Sequence, residues 1–282
     1  MHHRLAPSSA RGLLYVALAG IAWGTGGPTG ALLFSHSGLG STAVSFWRLL
    51  GGALWLALAC RLLGRSPIIQ HFAAAPMRHL LSGVGLAVCQ LGYFAAIPHI
   101  GVAISTVVAL GAGPLLIALG ARERITAALL LAVLGLALLV CGGSGGDGSV
   151  VGILLSLLSA AGYALTTLLN RNQSDPTTSA LLGFTAGAVL LLPLAIIEGV
   201  LPAASSWPLL AYFGLVPTAL AYTLFYAGLR AVRASTAAVI ALIEPLLAAA
   251  IGVLAFHEHL TPLNLTGAAV LLAAVVAQAM RE

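Results

Sequence analysis

Apolar runs of about 20 residues, separated by short polar or glycine-rich breaks, recur ten times along the chain. A bilayer's hydrocarbon core is about 30 Å thick and takes roughly 20 helical residues to cross. The pattern therefore predicts ten transmembrane helices, near residues 12–34, 42–60, 80–98, 104–121, 125–141, 150–170, 178–198, 208–228, 235–256 and 263–280. Short connections between them imply one bundle. The first run carries the basic lead of a signal peptide, but 12–34 is long enough to span and reads as an uncleaved first helix.

Composition turns this pattern into a class. The chain is 60% hydrophobic and 7% charged, whereas soluble domains are about 25% charged. No water-soluble surface can be built from so few charges. The net charge of +5 would suggest nucleic acid in a soluble protein. Here, however, the twelve cations are all arginine and are scattered one to three per connection. Arg4, Arg11, Arg61, Arg65, Arg78, Arg122, Arg124, Arg171, Arg230, Arg233 and Arg281 fall on alternate connections and at the two ends. Lys and Arg resist translocation, so short cytoplasmic loops retain them. The expectation is a multi-pass protein of the cell inner membrane with both termini cytoplasmic, embedded in lipid and without a nucleic-acid partner. Arg48 is the exception to this pattern.

The stretch Gly142-Gly143-Ser144-Gly145-Gly146-Asp147-Gly148-Ser149 breaks helices and reads as a linker. The sequences on its two sides match in order. Gly12-Leu13-Leu14 through Trp23 matches Gly152-Ile153-Leu154 through Tyr163, and Leu91-Gly92-Tyr93 matches Leu220-Ala221-Tyr222. Ser105-Thr106 matches Ser235-Thr236, and Glu123-Arg124-Ile125-Thr126 matches Glu258-His259-Leu260-Thr261. The expected organisation is a first five-helix repeat over 1–141, the linker over 142–149 and a second repeat over 150–282. An odd number of spans per repeat inverts the second repeat relative to the first. The fold class is thus all-α integral membrane, an inverted five-plus-five repeat around a central cavity. Such folds have two nearly equivalent conformations, one open to each side, which points to transport.

Binding sites in repeat-built transporters lie where matching helices are broken by Gly and Pro. The fourth span holds Gly111, Gly113 and Pro114, and the ninth holds Pro245 at a nearly equivalent place, making these the candidate hinges. Pro28, Pro98 and Pro217 are further candidate bends. Gly20-xxx-Gly24 and Gly26-xxx-Gly30 have the small-residue spacing of close helix packing. Arg48 and Glu244 are the charged residues well inside predicted spans, roughly 9 and 18 Å below the outer helix ends by helical rise. Charges at that depth face a partner, water or the bundle interior. Three roles stay open: a structural tie, substrate contact through Arg48, and proton coupling through Glu244. Trp23, Tyr93, Tyr163, Tyr222 and Tyr226, with Phe94 and Phe225, supply aromatic walls with polar tips suited to a small, partly apolar substrate. Ser105, of the matched pair, joins this candidate pathway.

Cys60, Cys89 and Cys141 are odd in number and lack a CxxC, so they read as small buried hydrophobes. His257 and His259 diverge on a helix, no phosphate-binding loop occurs, and neither metal nor cofactor is expected. A membrane-embedded enzyme is the alternative from another class, although convergent acids, bases or ligands are not apparent.

Ala22-Trp23-Gly24-Thr25, Phe46-Trp47-Arg48, Gly113-Pro114, Glu244-Pro245 and Glu258-x-Leu260-Thr261 followed by Gly267 resemble the drug/metabolite transporter (DMT) superfamily. More narrowly, the chain resembles its EamA-type family, to which aromatic amino-acid exporters of the YddG type belong. The resemblance spans both halves. It implies an exporter of amino acids or related metabolites working by alternating access, with other DMT carriers (drug, sugar nucleotide, lipid) as alternatives. A monomer or weak homodimer, with a proton as candidate coupling ion, completes the expectation. One departure is that Pro114 precedes Glu123 by four fewer residues than Pro245 precedes Glu258, which puts strict symmetry of two gates in doubt.

Overall fold

A computed structural model describes residues 8–64, 68–140, 149–256 and 259–282. Among these residues every regular element is helical. Helix α1 (Ser9–Gly24) leads through Thr25 into α2 (Gly26–His36), and α3 (Ser41–Leu62) follows. A short α4 (Ile68–Ala74), which hydropathy did not reveal, precedes the long α5 (Pro76–Gly120). The first half closes with α6 (Ala127–Val140). The second comprises α7 (Val150–Asn170), α8 (Pro176–Glu198), α9 (Trp207–Gly214), α10 (Ala221–Gly228), α11 (Ala234–Ala241), α12 (Ile243–Phe256) and α13 (Pro262–Ala279). Seven helical stretches among the described residues are long and apolar enough to cross a membrane. Most of the predicted linker, with Cys141, His257 and Glu258, lies outside the described residues.

The long α5 is a hairpin rather than a rod. Its backbone reverses at Gly101, where φ is 75° and ψ is 166°, a conformation that an L side chain rarely adopts. Neighbours show the reversal. Gly85 packs against Gly162 and Thr166, and Gly92 against Leu155 and Ser159, so rising numbers meet falling ones. Beyond Gly101 the sense changes: Gly113 packs against Tyr163 and Gly120 against Leu168. A hydrogen bond of 2.8 Å between Tyr93 and Thr106 ties the two arms.

The reversal falls in the gap expected between the third and fourth spans, whereas the break expected within the fourth, at Gly111, Gly113 and Pro114, does not occur: the helix runs on through 111–114. A Cβ at Gly113 would lie 3.0 Å from the Tyr163 ring, so this glycine serves close packing rather than bending. Pro245 behaves differently. It removes the donor for the Ala241 carbonyl, and α11 ends there, with Leu242 separating it from α12. Between α9 and α10 the backbone widens into a π turn over Leu215–Leu220, around Pro217.

The packed pairs repeat between halves. Helix α1 lies on α10 and α12, as α7 lies on the two arms of α5, while α3 pairs with α8 and α6 with α13. Small residues allow the close approaches: Gly51 meets Gly214, Gly83 meets Gly187, Gly135 meets Leu271 and Gly267 meets Leu139. Large apolar side chains such as Leu14, Leu54, Leu130, Leu154, Val189 and Ile197 point outward, the surface that hydrocarbon requires. Packing of Gly12 on Ala231 and Val232, together with the Arg233–Glu282 ion pair, brings the start of α1 and the end of α13 to one end of the bundle.

Candidate substrate cavity

Within the bundle lies a cavity of about 730 Å³, inside the range of roughly 300–1,000 Å³ usual for small-molecule sites. It extends from Trp23 toward the end where Phe34, Leu139, Val140 and Leu260 line it, away from the start of α1 and the end of α13. Seven sequence-predicted residues line it: Trp23 from the end of α1, Arg48 from α3, Tyr93 and Phe94 from α5, Tyr163 from α7, Tyr222 from α10 and Glu244 from α12. Pro114 and Pro245 line it too. Ser105, Tyr226, Gly111 and Gly113 do not. The Ser105 hydroxyl bonds back to the Gly101 carbonyl at 2.7 Å, bracing the hairpin. Tyr226 stands one helical turn beyond Tyr222 and is buried beneath it, with ring centroids 5.8 Å apart.

The floor is aromatic. Trp23 meets Tyr222 edge-on at 4.9 Å and Phe225 at 5.0 Å, and Phe225 stacks on Tyr163 at 6.2 Å. Nearer the mouth, Phe34 and Phe94 meet at 5.6 Å. Gly24 brings α1 against α12: a Cβ there would lie 2.9 Å from the Glu244 carbonyl oxygen and 2.7 Å from the Leu247 Cβ. Gly20 likewise contacts Ala241 and Ile243, which fits the packing role expected for this pair. The second glycine pair differs. A Cβ at Gly26 would touch Pro217 at 3.4 Å and Phe213 at 3.9 Å, whereas one at Gly30, or at neighbouring Gly27, would meet nothing within 4 Å; all three glycines line the cavity.

Arg48 and Glu244 share the cavity, but no direct ion pair joins them among the described contacts. The guanidinium donates from Nε to Thr218 Oγ1 at 3.3 Å and from Nη2 to the Pro217 carbonyl at 3.4 Å. It also lies 5.1 Å from the Phe213 ring centroid, a cation–π distance. Two opposite charges, separately held amid aromatic rings, can receive a ligand carrying both signs.

At the other end polar contacts seal the bundle. The Glu123 carboxylate accepts hydrogen bonds from the Ala234 N–H at 3.1 Å, the Ser235 N–H at 2.9 Å and the Ser235 hydroxyl, with Arg171 at 3.3 Å. It therefore caps α11, where the unpaired N–H groups and the helix dipole favour negative charge. Alongside it, Glu282 accepts from Arg233 Nε at 2.8 Å and Thr236 Oγ1 at 2.6 Å, and Gln278 links Thr236 to Thr126.

Several lining residues escaped the sequence reading. Cys89, taken as a buried hydrophobe, and Ser159 both line the cavity. Each stands four residues before a predicted tyrosine, Tyr93 or Tyr163, so projecting that helix face would have found them. Phe213, which also lines the cavity, and Thr218, which accepts from Arg48, carried no such signal.

An all-helical, membrane-crossing bundle around a polar-and-aromatic cavity defines a class, that of multi-pass membrane transporters. The EamA-like transporter family is matched over residues 150–278. Similar chains include the transporter YwfM of Bacillus subtilis, 32% identical over 92% of this chain and 90% of that one. A transporter of Archaeoglobus fulgidus is 30% identical over 87% and 94%. The inner membrane transporter YicL of Salmonella typhimurium is 26% identical over 95% of each. A solved crystal structure superposes with a TM-score of 0.82 over 96% of each chain at 20% identity, which shows the shared fold. The chain belongs to the EamA-like transporter family.

Proposed function

We propose that the protein is a secondary transporter that exports amino acids, aromatic or hydrophobic ones foremost, by alternating access. The observation that carries this reading is a cavity closed at one end, with Arg48, Glu244 and an aromatic floor in one space. A carboxylate suits the guanidinium, an ammonium suits Glu244, and an apolar side chain suits the rings. Ten crossings follow if α1 with α2, each arm of α5, and α6 all span. The recurrence of the same packed pairs in both halves supports the inverted five-plus-five repeat. Retention of arginine supports cytoplasmic termini, so the cavity faces outward and the Glu123 end is the inner one. Proton coupling through Glu244, and a monomer or weak homodimer, complete the proposal.

Uptake and efflux of labelled amino acids by reconstituted liposomes test it. Flux above empty vesicles is expected, steepest for aromatic substrates. No flux for any amino acid would overturn the substrate class.

A further inference from the structure

Among the described residues, the hydrogen bonds and ring contact that hold Arg48 come from Phe213, Pro217 and Thr218, at the end of α9 and in the π turn that follows it. Pro217 has no N–H, so the carbonyl four residues earlier, on Phe213, loses its helical donor. The backbone widens into the π turn Leu215–Leu220, a form that recurs at functional sites. The Thr218 hydroxyl then donates to the Phe213 carbonyl at 2.8 Å. With its proton committed, its oxygen can only accept, and it accepts from Arg48 Nε at 3.3 Å. Its methyl faces α3, where a Cβ at Gly52 would lie 2.7 Å from Thr218 Cγ2. Thr218 is fully buried, so rotamer and lone-pair direction are both fixed.

We propose that Thr218 is a positioning residue: it aims the Arg48 guanidinium into the cavity so that a substrate carboxylate is held there. This rests on the transport reading and names the chemical group that the site must recognise. With Nε bound to Thr218 and Nη2 to the Pro217 carbonyl, the side edge of the guanidinium is occupied. The Nη1–Nη2 edge is left, and its parallel N–H groups match a carboxylate bidentately. Replacing Thr218 with an isosteric apolar residue keeps the packing on α3 but frees Arg48 to rotate. The cost should fall on carboxylate-bearing substrates alone.

The test measures concentration-dependent uptake of L-phenylalanine and of L-phenylalaninamide, which lacks the carboxylate, by reconstituted liposomes. For Thr218→Val the half-saturating concentration of phenylalanine should rise roughly tenfold, the size expected for losing a bond to a charged group. The maximal rate and amide uptake should stay near wild type. Thr218→Ser, which keeps the hydroxyl, should restore phenylalanine affinity. Thr218→Ala, which also removes the acceptor, must repeat the valine pattern even if the valine variant folds poorly. Wild-type phenylalanine affinity in both variants, or an equal loss for the amide, overturns the assignment. Wild-type protein moving the amide as well as phenylalanine overturns carboxylate recognition while the transport reading stands. Wild-type protein moving neither overturns that reading and the assignment with it.

Discussion

The two ends of the bundle are held by different means. At the end away from the termini, the helices splay around a cavity. Two of its glycines, Gly27 and Gly30, face open space where a Cβ would meet nothing, and no ion pair joins Arg48 to Glu244 among the described contacts. At the end carrying the termini, Glu123 and Glu282 draw α11, α13, Arg171 and Arg233 together through short polar contacts. The hydrophobic effect cannot choose between these arrangements, because lipid is as apolar as the side chains it replaces. What distinguishes the ends is where polar groups find partners. Carboxylates that meet the start of α11 join the helices at one end, whereas Arg48 and Glu244 stand in the cavity at the other without an ion pair among the described contacts.

That contrast can be broken in several places. The largest effect is expected at the open end. Arg48→Ala should lower transport efficiency for carboxylate substrates by about a hundredfold, since charge-assisted bonds are worth roughly 1.5–3 kcal/mol. Flux in reconstituted liposomes reads this out, and near wild-type efficiency would remove Arg48 from the site.

At the closed end, Glu123→Ala should cost about 2 kcal/mol through uncapping of α11 and loss of the Arg171 pair. Because these contacts join helices at the sealed end, the variant should also open that end more often. Alkylation of Cys89 from the cavity mouth, in protein lacking Cys60 and Cys141, should slow accordingly. Unchanged labelling together with unchanged melting would show that the capping contacts do not hold the end shut.

Glycines sharpen the comparison further. Gly24→Ala forces a methyl against Glu244 and Leu247 and should cost about 1–3 kcal/mol. Gly30→Ala enters open space and should leave melting unchanged or raise stability by up to about 1 kcal/mol through helix propensity. Equal melting shifts for the two variants would contradict the close approach of α1 to α12.

The smallest effect concerns Glu282. Burial alone would raise its pKa, but hydrogen bonds from Thr236 and Arg233 and the Arg233 charge outweigh it, so the pKa lies below the ordinary 4.5. A depressed carboxylate pKa stabilises the folded state above the unfolded value. The contribution is full above about pH 4.5 and is lost as pH falls through the lowered pKa. Screening keeps it below about 1 kcal/mol. Thermal melts of wild type and Glu282→Gln should differ at neutral pH and converge in acid; a gap that persists in acid would argue against the carboxylate.

Much of the fold was legible in the hydropathy pattern, because a bilayer imposes a length on every span. The helix boundaries lie within a few residues of those expected, and the Gly101 reversal falls in the gap expected between 98 and 104; only α4 was missed outright. Gly-Ala-Gly-Pro at 111–114, by contrast, looks like a break yet remains helical. The cavity was partly legible too. Trp23, Arg48, Tyr93, Tyr163, Tyr222 and Glu244 stand out as aromatic or charged residues at depth, and they do converge. Tyr226 carries the same signal, and Ser105 the signal of the matched Ser-Thr pair, but both are turned away, since a helix offers only one face to a central space.

The sequence by itself determined the membrane class, the approximate spans and the charged pair, because each follows from the cost of placing polar groups in hydrocarbon. Only the tertiary structure decided which proline bends its helix, which glycines pack and which stay open, and what aims Arg48. These depend on neighbours brought from distant parts of the chain. Thr218 lies 170 residues from the arginine it holds, and no local pattern encodes that meeting.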